Sequence, residues 1–501
     1  MSTAAPSAFR DRHREPVPAI GIDIGSTNTK VALLGLAEEP GMPRELGIRS
    51  FRTPDAPAEI SRAVFAAIHG LISARPRPPV AVGVASMAES GVVLDAEDRP
   101  VGPLVRWTAA GTTAPLFDAI GASAVNDLSR ATGVPATPKV PLATWHRLQH
   151  EEPDRWRMLA RWAGAADFVA FALTGSLATD HTLAGRTMAY RLPPPGDEPG
   201  QEFDHALLAR AGLRPARMPR IVRPGDPVGV LLDHVAEATG LARGTPVYLA
   251  GHDHAVAAWA AGVREDPDAA DSLGTTEALV RVAGNPIDRS AALAAGMSVT
   301  RTVAGDRECL LAGAAGGAMV ARWIVAHPEK DADVLFRALE PEGPGDAFVL
   351  PYPRGRQTPR PDPTARERLI GTPETAGGHL RAILVGLCLQ LRWMEESQNQ
   401  ILGSAPPRLT VVGGTAAHNA AWNRLKSRLV HTPLAVVGAH EPVASGAALY
   451  AAVRVGAAPA DAVLPAAPIP SHPHPRADDL FRAFVEAATE PALSSAPGPT
   501  P

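Results

Sequence analysis

The chain has 501 residues, a formal charge of −4 and only two cysteines, Cys309 and Cys388. With 45% hydrophobic and 20% charged residues its composition is globular, and its length predicts two or three domains. The mild charge argues against a nucleic-acid or acidic-lipid partner, the cysteines form no CxxC spacing or disulfide framework, and the most apolar run, AILVGLCLQL at 382–391, is too short to cross a bilayer.

Residues 1–17 read as a flexible leader without an apolar stretch of signal-peptide length, so a cytoplasmic protein is expected. AIGIDIG (19–25) and KVALLGL (30–36) read as buried strands around a polar turn, and LGIRSFRT (46–53) as a third strand. EISRAVFAAIHGLISA (59–74) has helical spacing, and VAVGVASM (80–87) returns to strand. Residues 115–175 read as mainly helical, and PVYLAG (246–251) as another buried strand. DSLGTTEALVRVAG (271–284) restarts the strand–turn–strand theme some 250 residues after its first appearance, which predicts two related lobes. Helices are predicted at 316–327, 377–402 and 417–430, with the strand RLTVVGG (408–414) between the last two. LAVVG then reads as a strand and VASGAALYAAVRVG as a helix. The predicted division is a leader at 1–17, lobes at 18–262 and 263–460, and a Pro/Ala-rich tail at 461–501 with a short helix at 477–488. Lysine occurs only four times, a bias that reads as base composition.

Four stretches carry chemistry. IDIGSTNTK (22–30) sets Asp23 at a strand end, followed by Gly25, Ser26, Thr27 and Asn28. A glycine turn with adjacent hydroxyls makes an anion cradle, and a carboxylate beside phosphate oxygens needs a hard cation such as Mg²⁺ between them. The bland alternative is an ordinary hairpin turn. SLGTTEALV (272–280) repeats the design with Gly274, Thr275 and Thr276 but has no equivalent of Asp23. VVGGTAAHNAAWNRL (411–425) joins a strand to a helix through Gly413 and Gly414, where backbone can approach a flat ligand or simply pack. YLAGHDHAVAAWAAGV (248–263) places Asp253 between His252 and His254, as a helix cap, a metal ligand or a base. Three consecutive side chains seldom converge on one ion, which disfavours the metal. No GK dipeptide, HExxH, GxSxG or strand-linked GxGxxG occurs.

Together these stretches resemble the FGGY family of carbohydrate kinases, within the sugar kinase–Hsp70–actin superfamily. The resemblance runs from about residue 18 to about 457 and includes EPVASGAALYAA with the adenosine signature, LPYPRGRQTPRPDPTARERLIG (350–371) and LTGSLATDHTLAGRTMAYRL (173–192). It implies an α/β fold of two RNase H-like, actin/hexokinase-type lobes around a cleft. It implies ATP and Mg²⁺ and a small sugar or polyol as partner, and it allows a homodimer. Asp253 then corresponds to the catalytic base, and Asp23 to the carboxylate that works with Mg²⁺, through water. Gly25, Ser26, Thr27, Asn28, Lys30, Gly274, Thr275 and Thr276 would serve the phosphates, and Gly413, Gly414, Thr415 and Asn419 the adenosine. Met87, Glu89, Trp107 and His254 would face the acceptor. Glu89 has its own bland alternative, a solvated carboxylate at a strand end. RWTAAGTT (106–113) departs from the Trp-x-Asp-x-Arg pattern of many relatives: Trp107 stays, but Ala109 and Gly111 replace the charged pair. That departure puts any named sugar in doubt and leaves open an unusual acceptor or a silent nucleotide-binding regulator.

Overall fold

A computed structural model of the chain describes residues 16–36, 42–109, 111, 114–339, 343–414 and 417–490. Two sheets organise it. The first runs in the order Arg44–Arg52, Asn28–Leu36, Val17–Ile24, Val82–Ser86, Pro246–His252, Gly229–Val230. The second runs Ser298–Arg301, Glu308–Ala315, Thr276–Val282, Ala269–Leu273, Leu409–Val412, Leu434–Val437, Ala466–Ile469. Each opens with an antiparallel meander and continues with three parallel strands, so the repeated theme in the sequence is a repeated topology.

Strand alternation decides what each face meets. In Val17–Ile24, Ile20, Ile22 and Ile24 enter one core with Ile60, Val64 and Ile68 of the helix Pro57–Ile72. Burying such a side chain contributes about 1.5–3 kcal/mol. The opposite face carries Ala19, Gly21 and Asp23. There the helix Pro442–Arg454, from the far end of the chain, lies directly on the first sheet. A Cβ at Gly21 would sit 1.8 Å from the Ala444 carbonyl oxygen, and one at Gly83 would sit 1.9 Å from that of Ala447. Only glycine permits this approach. The helix Asp253–Ala260 packs against both Pro442–Arg454 and the second sheet, so each half lends a helix to the other.

Several readings change in detail. The region 115–175 holds five helices, but the strand Arg161–Gly164 interrupts them by pairing with Gly91–Leu94. The last part of the chain is more than a tail. Ala466–Ile469 forms the edge strand of the second sheet, and the helix Ala477–Thr489 buries Leu480, Phe481 and Phe484. Residues 1–15 and 491–501, read as a loose leader and tail end, lie outside the described residues.

Candidate active site

The two polar turns are both opened by a glycine N–H that bonds forward across the turn, the first one residue longer than the second. The Gly25 N–H donates to the Asn28 carbonyl at 3.1 Å, and the Gly274 N–H donates to the Thr276 carbonyl at 2.9 Å. Thr27, Asn28, Gly274 and Thr275 are exposed, so their hydroxyls and amides remain available to a ligand. The second turn is braced from behind, where Gly317 and Ala318 donate to the carbonyls of Gly274 and Thr275 at 2.9 and 3.1 Å.

Asp23 emerges from the first turn. Its Oδ2 accepts from Lys30 at 3.1 Å, and its Oδ1 is buried without a hydrogen-bond partner. Lys30 also lies 3.6 Å from Glu441, at the start of Pro442–Arg454. Asp23 above all, together with Glu441 and Asp253, raises the Lys30 ammonium pKa despite its burial. Three carboxylates thus face one ammonium, with an orphaned oxygen among them. That donor set fits a hydrated Mg²⁺.

Asp253 is the first residue of its helix, and a β-bulge aims it. The register of Pro246–His252 against Val82–Ser86 shifts between Leu249 and Gly251. Gly251 takes φ 121°, and a Cβ there would lie 2.3 Å from the Thr182 hydroxyl. That hydroxyl accepts from the His252 N–H at 2.8 Å and donates to Asp180 at 3.0 Å. The bulge turns the strand end toward the cleft. The Asp253 carboxylate is partly exposed, and burial raises its pKa; His254 opposes the shift, while Asp23 and Glu89 reinforce it. His254 reaches the second lobe, with Nδ1 2.8 Å from the Ser272 hydroxyl.

The expectation that His252, Asp253 and His254 would not converge is overturned. Their ligand atoms lie within 4.8 Å of one another, because the bulge and helix start fold consecutive side chains together. Burial holds the His252 imidazole well below its usual pKa, and its Nε2 lies 3.1 Å from Asp253 Oδ1.

On the acceptor side, Glu89 is not a solvated strand-end carboxylate. It sits at φ 59°, and its Oε1 accepts from both Nε and Nη2 of Arg186 at 3.0 and 2.7 Å. Burial alone would raise its pKa, but Arg186 and Lys139 bring it below the usual value. Met87 is only 5% exposed and belongs to the core of the first half. Trp107 is half-buried in a short turn, its N–H donating to Ser90 at 3.1 Å.

The adenosine-side residues divide. A Cβ at Gly413 would lie 2.0 Å from the Leu273 carbonyl oxygen, so this glycine lets two strands touch. Gly414 instead faces His440 and Glu441 at 3.7–4.0 Å. Asn419 precedes the helix Ala420–Leu429 and caps it, accepting from Trp422 N–H at 2.9 Å. Thr415 lies outside the described residues.

Several residues at the site were not singled out from the sequence. Arg106 donates to the Ser26 carbonyl at 2.6 Å and to the Thr53 carbonyl at 2.8 Å, tying the Trp107 segment to the first turn. Arg186, Lys139, Ser272 and Glu441 also belong here. The scarcity of lysine was a usable signal: of the four, Lys30 and Lys139 line the site, and Lys426 is sealed behind the second turn.

Two sheet-containing lobes, each with a glycine-hydroxyl turn, define an α/β fold of the actin/hexokinase-like class. The model for the N-terminal domain of the FGGY family of carbohydrate kinases matches residues 19–260, and that for the C-terminal domain matches 269–455. The chain belongs to the FGGY family of carbohydrate kinases, phosphotransferases that act on an alcohol group. It is 24% identical over 381 residues to an L-fuculokinase of Escherichia coli O157:H7, covering 75% of this chain and 77% of that protein. It is 27% identical over 385 residues to a xylulose kinase of Streptomyces coelicolor, covering 75% and 74%. A solved gluconate kinase from Lactobacillus acidophilus shares the fold at 19% identity, with a TM-score of 0.79 over 94% of this chain and 97% of that one.

Proposed function

We propose that the protein transfers the γ-phosphate of ATP to a hydroxyl of a small sugar or polyol, with Asp253 as the base. The observation that carries this reading is the setting of Asp253: a partly buried carboxylate of raised pKa, aimed by a bulge, within reach of the Asp23 charge and followed by His254, which bonds to Ser272 of the second half. The lobes are taken as 18–262 and 263–460. The first turn, with Ser26 and Thr27, and the second, with Thr275 and Thr276, hold the β- and γ-phosphates. Gly414 and its neighbours receive the adenosine.

In the reaction Asp253 accepts the proton of the acceptor hydroxyl. The oxygen forms a bond to the γ-phosphorus, the bond to the β–γ bridging oxygen breaks, and ADP departs. Asp23 and its partnerless Oδ1 would hold Mg²⁺ through water. When bound, that ion screens the phosphate charge. Lys30 orients Asp23 through its hydrogen bond to Oδ2. The names of the relatives favour a ketose or polyol acceptor of this general size.

A coupled assay of ADP release tests the reading over pentuloses, tetritols, glycerol, aldonates and cyclitols, with wild type and Asp253→Asn in parallel. Acceptor-dependent turnover that disappears in the variant supports it. ATP binding without transfer to any acceptor points to a nucleotide-binding regulator instead.

A further inference from the structure

Among the described residues, the acceptor end of the cleft holds two cations, Lys139 and Arg354, that make no ion pair. Arg186 is spent on Glu89, and its remaining Nη1 donates to the Ser298 hydroxyl at 2.8 Å. Lys139 and Arg354 have no such engagement. Lys139 precedes the helix Pro141–Glu151, and its amine lies 5.8 Å from the Trp107 ring centroid. Arg354 comes from the other half of the chain, yet its guanidinium lies 5.9 Å from the same ring. Neither cation makes an ion pair or a hydrogen bond among the described residues. The segment 106–113 supplies no carboxylate: Ala109 is alanine, and Ala110, Thr112 and Thr113 are uncharged. Burial pulls the Lys139 pKa down; Glu89 opposes this, while Arg186 and Arg354 add to it. An ammonium withdrawn from water, with two guanidiniums near it and only the Arg186-bound Glu89 to offset them, is costly unless a further anion joins it.

We propose that the acceptor is a small polyhydroxy carboxylate whose acid group is drawn to Lys139 and Arg354 beside Trp107, while a hydroxyl at its other end meets Asp253. This rests on the kinase reading and narrows it. Hydrogen bonds from Lys and Arg to a carboxylate are charge-assisted and stronger than those to a neutral hydroxyl. Because Lys139 and Arg354 come from different halves, the acid group also rewards their approach.

The test compares aldonates with neutral alditols of the same length and configuration, with sugar monophosphates as a third set. The expected kcat/KM is about a hundredfold higher for an aldonate than for its alditol, as suits two charge-assisted contacts. Lys139→Met is expected to lower the aldonate-to-alditol ratio at least about tenfold, and Arg354→Ser, on an exposed loop, at least about threefold. Lys139→Arg, which keeps the charge, is expected to restore most of the ratio. Equal use of aldonates and alditols, an unchanged ratio in Lys139→Met, or turnover confined to sugar phosphates overturns the carboxylate assignment and leaves the kinase reading intact. If nothing is phosphorylated, calorimetry with an aldonate and a nonhydrolysable ATP analogue decides. Aldonate binding weakened at least about tenfold by Lys139→Met keeps the acid subsite and breaks the kinase reading. Absence of aldonate binding overturns the subsite.

Discussion

The two polar turns hold the same place in their sheets and differ in what they do with charge. In the first, Asp23 meets one lysine and keeps one oxygen without a partner at the cleft. In the second, Ser272 takes the place of Asp23, two residues before the glycine, and the carboxylate sits one position earlier, where Asp271 points the other way, fully buried. There Asp271 and Glu277 both accept from Lys426, itself fully buried. Burial raises the Glu277 pKa to about 8 against the pull of Lys426, and the nearby Asp271 adds to the rise. One turn holds charge in reserve for a ligand; the other commits its charge to the fold. Duplicated topology therefore does not duplicate chemistry, because placing a carboxylate one position earlier along a strand exchanges cleft for core.

This contrast breaks first at the carboxylate between the turns. Asp253→Asn is expected to lower kcat by about 10²–10⁴, or roughly 3–5.5 kcal/mol, measured by steady-state kinetics. Its stability should not fall. A carboxyl whose folded pKa lies above its unfolded value stabilises at low pH and loses that contribution as pH rises through the folded pKa. Near neutrality the substitution removes a cost, so the melting temperature of the variant is expected to equal or exceed that of wild type. For the same reason the acid limb of the kcat/KM profile should lie above the aspartate reference of about 4.

The committed turn responds in the opposite way. Lys426→Met leaves two buried carboxylates unpaired and is expected to cost roughly 3–5 kcal/mol of stability by denaturant titration. A loss below about 1 kcal/mol would show that this charge is not structural. Asp23→Asn removes the main partner of Lys30 and is expected to lower stability, though less than Lys426→Met because Glu441 remains 3.6 Å away, and to raise the Mg²⁺ concentration for half-maximal rate about tenfold, read from a metal titration. An unaltered requirement would remove Asp23 from the metal reading. Ser272→Ala deletes the hydrogen bond between His254 and the second lobe, and about 1 kcal/mol, or fivefold in kcat/KM, is expected.

Local patterns were legible wherever one periodicity dominated. The alternation Ile20, Ile22, Ile24 and the apolar spacing of 377–402 indicated a strand and a helix that the structure contains. The two turns were legible as a pair, since Gly25 and Gly274 sit at strand ends with hydroxyls behind them. What escaped depends on long-range contact. Nothing near Lys426 announces carboxylates 155 and 149 residues away. The positive φ of Glu89 and its capture by Arg186, 97 residues on, carry no local signature. Gly413 looked like a ligand platform because the strand it presses against, ending at Leu273, lies far off in the chain.

Helix Pro442–Arg454 carries one last consequence. Glu45, on the edge strand Arg44–Arg52, accepts from the amides of His440 and Glu441 at 2.9 Å and from the Ser445 hydroxyl at 2.8 Å. Together with the seam at Gly21 and Gly83, this rivets a late piece of the chain onto the earliest strands. Synthesis must therefore reach residue 454 before the first sheet can shut its inner face, and a truncated product ending earlier would leave that face bare to the solvent.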